Sequence, residues 1–356
     1  MPSSRAFAEP TASSGPYRVV QWATGNIGAR SLRAVIEHSG LILAGVYVHG
    51  PDKVGRDAGE LCGLGTTGVR ATGDIDEIIA LGADCVLYMP AVCDPDEVCR
   101  LLESGLNIVT TRGEFHHPAS MDPDLRKRVE VACERGGGTI HSTGSSPGFI
   151  TEALPLVLMS IERRLDNMTI DEYADLSQRD SPEMLFDLMG FGSPAADFDV
   201  NRLSHGLHSF GPSLRLVADA LGLPLDSVEA GGSIGVARNT TRILAGVIEA
   251  GTVAAQRLTV SGIRDGVPLV CFRATWYCTT DLDQAWDLRP SGWHIAVEGD
   301  APLDVDVRLA VPMDRMAEMS PGYTANRAVN AVPVVCAATA GIRTTLDLPQ
   351  VIAKLG

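Results

Sequence analysis

Residues 17–28 read Tyr17-Arg18-Val19-Val20-Gln21-Trp22-Ala23-Thr24-Gly25-Asn26-Ile27-Gly28, and their reading decides the fold. The first six form a short apolar run with strand character. From about 27 to 38 the residues Leu32, Val35 and Ile36 recur on one helical face. A strand that passes through Gly25 and Gly28 straight into a helix opens a βαβ unit. Gly25 lets the backbone approach a diphosphate, and Gly28 permits close helix–strand packing. The helix N-terminus offers free N–H groups and the positive end of its dipole to phosphate oxygens. Thr24, Gly25, Asn26, Ile27 and Gly28 are therefore the candidate dinucleotide cradle. The three-glycine fingerprint is incomplete, because Trp22 stands where a first glycine would. A structural tight turn is the competing reading.

Working outward, 41–48 is the next predicted strand, 69–71 a short one, and 84–89 a run too apolar for an exposed edge. Residues 107–111 and 139–142 make two more. A helical turn is predicted around 74–80. Asp94-Pro95 and Asp122-Pro123 each supply an N-cap and a proline at the first helical position, the second helix ending at Gly136. Strand and helix alternating in this way predict a Rossmann-type doubly wound parallel sheet over 17–150. After Ile150 the pattern changes. A helix over about 152–164 leads to a strand over 167–176, with helical pieces around 182–189 and 211–221. Residues 257–263 and 268–278 flank the Asp265-Gly266 turn, and 293–298 and 303–309 flank Gly299-Asp300. These read as hairpins. An α+β substrate and dimerisation domain with a mainly antiparallel sheet is expected over 151–322. The apolar helical stretch 324–340 is expected to return to the first domain, so that 323–356 complete it. Residues 1–16, rich in Ser, Pro and Ala, read as a disordered tail.

The chain has 356 residues, with 29 Lys+Arg against 44 Asp+Glu and a formal net charge of −15. That balance argues against nucleic acid or an anionic membrane surface as partner, since both demand concentrated basic charge. No apolar run reaches the roughly 18–20 residues of a membrane helix. The 8 cysteines form no Cys-x-x-Cys pair, which suits free thiols in a reducing cytoplasm and gives no reason to expect zinc. Only Lys53, Lys127 and Lys354 are lysines, so no catalytic lysine can come from the stretch between the last two.

An NAD-preferring site places an acid at the end of the second strand. Here Val48-His49-Gly50 is followed by Asp52, Lys53 and Arg56, and these basic groups suit the 2′-phosphate of NADP. Asp52 folding back onto the ribose would favour NAD instead. Met89 and Pro90, at the end of another strand, would lie against the cofactor or simply close the core. Ligands of open α/β sheets bind beyond the carboxyl ends of the strands. Glu114 follows strand 107–111, and the loop through Pro147 and Phe149 follows 139–142, so both belong to that edge. Glu114 either does chemistry or pairs with Arg112 or caps a turn; His116 and His117 are the alternative acid/base groups. Pro147 and Phe149 read as pocket walls, with Tyr173, Arg179 and His205 as contributors from the second domain. His205-x-x-His208 lacks a third ligand at a metal-binding spacing.

Gly55-Arg56-Asp57-Ala58-Gly59-Glu60-Leu61 resembles the Gly-x-Asp-Ala-Gly-Glu-Leu stretch of dihydrodipicolinate reductases, and 74–79 and 94–109 continue the likeness. That enzyme's His-His-x-x-x-Lys helix and Lys-x-Asp-Ala-Pro-Ser-Gly loop are absent here. A fuller resemblance, covering nearly the whole chain, is to the diaminopentanoate dehydrogenase-like group, which includes the native amine dehydrogenases. It rests on 22–28, Thr111-Arg112-Gly113-Glu114, Ser142-Thr143-Gly144-Ser145-Ser146-Pro147-Gly148-Phe149, and 330–349 with Gly341-Ile342-Arg343-Thr344. Relatives often carry Asn where Ser146 stands. The resemblance implies that Glu114 is the catalytic carboxylate.

What it implies for function is reductive amination: a small ketone or aldehyde plus ammonia to a primary amine, and the reverse. A carboxylate can bind ammonium, relay protons and offset an iminium charge, while the nicotinamide carries the hydride. An imine or C=C reductase that uses no free ammonia, and a non-catalytic dinucleotide sensor, are the alternatives. A homodimer is the expected assembly.

Overall fold

The computed structural model describes residues 15–200, 203 and 206–355. The chain divides into two units, one running to Gly144 and resuming at Pro321, the other being Ser145–Ser320. In the first, β1 (Tyr17–Trp22) leads into α1 (Asn26–Glu37), which buries Leu32 and Val35 as its periodicity requires. Then come β2 (Leu41–Tyr47), α2 (Ala58–Cys62), β3 (Ala71–Thr72), α3 (Ile75–Ala80), β4 (Cys85–Tyr88), α4 (Pro95–Glu103), β5 (Asn107–Thr110), α5 (Pro123–Gly136) and β6 (Thr139–Ser142). Four of these helices start on an aspartate, α2 on Asp57. Asp74, Asp94 and Asp122 each accept hydrogen bonds from N–H groups of the first turn. In the last two, a proline follows at a position with no N–H to satisfy.

The second unit begins with an irregular turn of helix over Ser145–Ala153, then α6 (Leu154–Leu158) and β7 (Leu165–Asp175). It continues through α7 (Gly206–Ala220), β8 (Ser227–Val236), the small hairpin β9 (Thr241–Ile243) and β10 (Gly246–Ile248), then β11 (Val253–Arg264), β12 (Val267–Tyr277), β13 (Gly292–Gly299) and β14 (Leu303–Arg308). The larger sheet has the order β14-β13-β7-β12-β11-β8. It is mixed, because β7 and β12 run parallel while every other pair is antiparallel. α7 packs on β8, β11 and β12, with Phe210 stacked on Phe272 at 4.0 Å.

The chain then returns through α8 (Met313–Cys336) and β15 (Gly341–Arg343). β15 pairs in parallel with β6, completing a seven-stranded sheet of order β15-β6-β5-β4-β1-β2-β3. Ala328, Val329, Ala331, Val332 and Val335 of α8 form one core with Val19, Val35, Leu87 and Val109, while Trp22, Val86, Leu101, Ile108 and Ile140 form another.

Three sequence expectations are corrected here. The helix expected over 152–164 ends at Ile161, its residues divided between a π turn, α6 and a short 3-10 turn, because the backbone N–H groups of Arg163 and Arg164 are taken by the Asp300 carboxylate at 2.9 and 2.8 Å. β8 was not expected, since Gly231-Gly232 breaks its alternation. A Cβ at Gly232 would lie 2.4 Å from the Leu203 side chain, so close packing accounts for the missing side chain there. β15 was not expected as a strand, being three residues read within an apolar tail. No helix among the described residues is long and apolar enough to cross a membrane.

Candidate active site

The end of β1 is shaped for close approach. Ala23 takes a left-handed conformation (φ 68°), and Gly25 stands at the N-cap of α1 with no side chain capping the first turn. Helix-start N–H groups without a side-chain cap are donors available to a phosphate. An ideal Cβ on Gly28 would lie 2.2 Å from the Ala23 carbonyl oxygen, so only glycine fits. The turn is held from beneath by Gln21, fully buried, whose Nε2 donates to the carbonyls of Ala23 (2.9 Å) and Leu87 (3.3 Å). Sequence reading missed this support because it named only the glycines. The Asn26 side chain is occupied by Arg30 at 2.7 Å, and Ile27 packs against the core. The residues fit a bound dinucleotide: an uncapped helix start faces a backbone kept bare by Gly25 and Gly28.

The turn after β2 brings Lys53 back to the same loop. Its Nζ donates to Thr24 O and Thr24 Oγ1, both at 3.3 Å. Arg56 is exposed and sits 3.6 Å from Glu60. His49 lies 3.3 Å from Glu97, which also accepts the Tyr88 hydroxyl at 2.8 Å. Asp52 turns over Gly50, where a Cβ would approach its Oδ1 to 2.6 Å. Met89 is a core residue among Leu87, Val109 and Val332, so its side chain is spent on packing; Pro90 is half-buried beside it.

Glu114 sits on a 3-10 turn directly after β5. Arg112 clamps it. One guanidinium nitrogen donates to Glu114 Oε1 at 2.8 Å and another to Ala91 O at 2.5 Å, while Ser142 Oγ donates to the Arg112 carbonyl. Glu114 Oε2 is buried and has no hydrogen-bond partner. An unmade bond at a buried acceptor costs about 1–3 kcal/mol. A half-exposed ion pair returns at most about 1 kcal/mol, so pairing alone does not account for this arrangement. The carboxylate is oriented by one oxygen and keeps the other open. Nearby Cys93 is no nucleophile: burial, then the Glu114 charge, pushes its thiol up to about 12. His117 Nδ1 is 3.0 Å from Ser120 Oγ, and both His116 and His117 are buried.

In the second unit, Gly148 (φ 119°) makes the bend between Pro147 and Phe149, and its N–H donates to Thr151 Oγ1 at 3.0 Å. Phe149 meets Trp293 edge-on, with centroids 6.4 Å apart. Trp293 Nε1 donates to Glu172 Oε2 at 2.9 Å. Alternation along β7 sends Tyr173 to the opposite face. It lines a cavity of about 330 Å³ with Trp293, Arg289, Asp306 and Arg308. Arg179 is half-buried just past β7, its N–H bonded to Leu176 O at 3.0 Å. His205 lies outside the described residues. Glu172 went unnoticed in the sequence, since its partner is 121 residues away and only strand register reveals it.

A parallel sheet of order 3-2-1-4-5-6, a bare glycine turn after its first strand, and a clamped carboxylate after its fifth define a Rossmann-type oxidoreductase dependent on a nicotinamide dinucleotide. The chain belongs to the 2,4-diaminopentanoate dehydrogenase family, which takes in amine dehydrogenases: residues 149–356 match the 2,4-diaminopentanoate dehydrogenase C-terminal domain. It is 30% identical over 353 residues to an amine dehydrogenase of Streptomyces virginiae, covering 95% of this chain and 98% of that one. It is 21% identical over 266 residues to the 2,4-diaminopentanoate dehydrogenase of Acetoanaerobium sticklandii, covering 73% of this chain and 71% of the relative. The structure of an amine dehydrogenase from Mycobacterium smegmatis shares its fold, with a TM-score of 0.74 at 21% identity over 96% of this chain and 98% of that one.

Proposed function

We propose that this protein is an NAD(P)H-dependent amine dehydrogenase that converts a small ketone or aldehyde and ammonia to a primary amine, and reverses the reaction. The observation that carries this reading is the open, buried Oε2 of Glu114, on a carboxylate whose other oxygen Arg112 holds. In the aminating direction that oxygen accepts a hydrogen bond from ammonium and takes its proton, freeing the amine to attack the carbonyl carbon. The same carboxyl returns a proton to the departing hydroxyl as water leaves. The carboxylate then offsets the positive charge of the iminium. The nicotinamide, when bound, supplies the hydride. Gly25, Gly28 and the start of α1 hold its diphosphate.

NADP is the proposed cofactor. Lys53 is drawn to Thr24 on the phosphate-binding loop, Arg56 lies near it in sequence, and no acid ends β2. A catalytic efficiency with NADH equal to or above that with NADPH would overturn the choice. The assembly proposed is a homodimer, which light scattering of the purified protein tests.

The decisive experiment is ammonium dependence. NADPH oxidation with a small ketone is expected to require ammonium and to yield the amine. Equal rates without ammonium would sink the reading in favour of a reductase acting on a preformed imine or C=C bond. Glu114→Ala is expected to keep cofactor affinity and lose at least about a hundredfold in kcat, the usual worth of a positioned acid–base group. Unchanged turnover would remove Glu114 from the mechanism.

A further inference from the structure

Glu172 and its neighbour Asp171 lie on opposite faces of β7 and are treated very differently. Asp171 is bound through both oxygens by Arg273, at 2.5 and 2.7 Å. Glu172 is half-buried, and no Arg, Lys or His pairs with it among the described residues. The Trp293 indole donates to it at 2.9 Å. Burial pushes its carboxyl above the ordinary value, against the pull of that indole and of the nearby Ser146 hydroxyl. A half-buried carboxylate without a cation is costly to keep, because desolvation is only partly repaid by neutral donors. Trp293 lies directly across the ladder from it, and Phe149 stands edge-on to the Trp293 ring.

A carboxylate beside aromatic rings is the chemistry that recognises an alkylammonium. The acid answers the charge, and the rings take up the alkyl chain and the positive C–H groups next to nitrogen. Arg289 and Arg308 line the cavity that Trp293 shares with Tyr173, and among the described residues neither pairs with Glu172. We propose that Glu172, Trp293 and Phe149 form an alkylammonium-binding site in the Ser145–Ser320 unit. This deepens the amine dehydrogenase reading and rests on it only for the idea that the bound amine is a substrate or product; the binding itself stands apart from catalysis.

The probes are n-butylammonium and, as the neutral control, n-butanol, titrated calorimetrically into the full-length protein. Wild type is expected to bind the ammonium. Glu172→Gln, which keeps the shape and removes the charge, is expected to weaken it at least tenfold without changing the response to butanol. Trp293→Phe keeps a ring and loses the indole N–H, and is expected to weaken binding less than Glu172→Gln. Failure of wild type to bind, or equal binding by wild type and Glu172→Gln, overturns the proposal. Should Glu172→Gln not fold, Phe149→Leu leaves the acid and removes a ring. Weaker ammonium binding by that variant supports the site, and unchanged binding rejects it. Loss of ammonium-dependent turnover in wild type would sink the dehydrogenase reading while leaving this titration fully interpretable.

Discussion

At Gly28 a single methyl group is enough to disturb the phosphate-binding turn. The added Cβ meets backbone, not a movable side chain, so either Ala23 or α1 must shift. Gly28→Ala is expected to cost about 1–3 kcal/mol of stability, as overpacking does, and to weaken NADPH binding, read by urea unfolding and fluorescence titration. Wild-type values in both would show that the turn adapts. Glu114 and Glu172 differ in how far sequence could find them. Glu114 is positioned by its own strand, since it follows β5 within four residues, and a rule about strand ends reaches it. Its clamp is also local, Arg112 being two residues away. Glu172 acquires its partner from β13, and nothing near position 172 announces Trp293. Tyr173 was noticed for its residue type, and it lines a cavity with Trp293.

Elements with their own punctuation were legible, and those defined by a partner were not. Asp94-Pro95 and Asp122-Pro123 mark α4 and α5 because a cap and a proline are local chemistry. β15 is a strand only because β6 offers an edge, and the parallel pairing of β7 with β12 depends on strands about a hundred residues apart. Asp57 illustrates a further local device. Its carboxylate accepts from Thr67 N (2.9 Å), Gly59 N (2.8 Å) and Gly68 N (2.8 Å), capping α2 and tying the following loop to it. These bonds, Thr67's backbone N–H foremost, lower its pKa to about 2. A folded-state pKa below the unfolded value of about 3.9 means the contribution is fully present above that value. It is lost as pH falls toward 2. Asp57→Asn turns an amide N–H₂ toward one of these backbone donors. It is expected to lower the urea midpoint at pH 7 and to flatten the fall in midpoint between pH 4 and pH 2. An unchanged pH profile would show that the loop is held by other contacts.

For the whole molecule, the discontinuous first unit matters most. Five residues of α8 are built into its core, and β15 supplies its last strand. Deleting the chain from Pro321 onward is therefore expected to abolish NADPH binding although every residue of the glycine turn remains. A soluble truncated protein with wild-type affinity would refute this dependence. In the intact protein, cofactor at a hundred times its Kd should add about 2.7 kcal/mol to stability by mass action, seen as a concentration-dependent rise in melting temperature.

The same discontinuity sets a timetable for the ribosome. When Gly144 leaves the exit tunnel, six of the seven strands of the first sheet exist, but the apolar face that α8 will cover is open to water. The whole of Ser145–Ser320 must be made before that cover arrives. At elongation rates of about 5–20 residues per second this is a wait on the order of ten to thirty-five seconds. Through that interval the nascent chain exposes Val19, Leu87 and Val109 on an incomplete sheet, a natural target for a holding chaperone. Slow codons before Pro321 would lengthen the exposure, and they should reduce soluble yield more than slow codons placed after it.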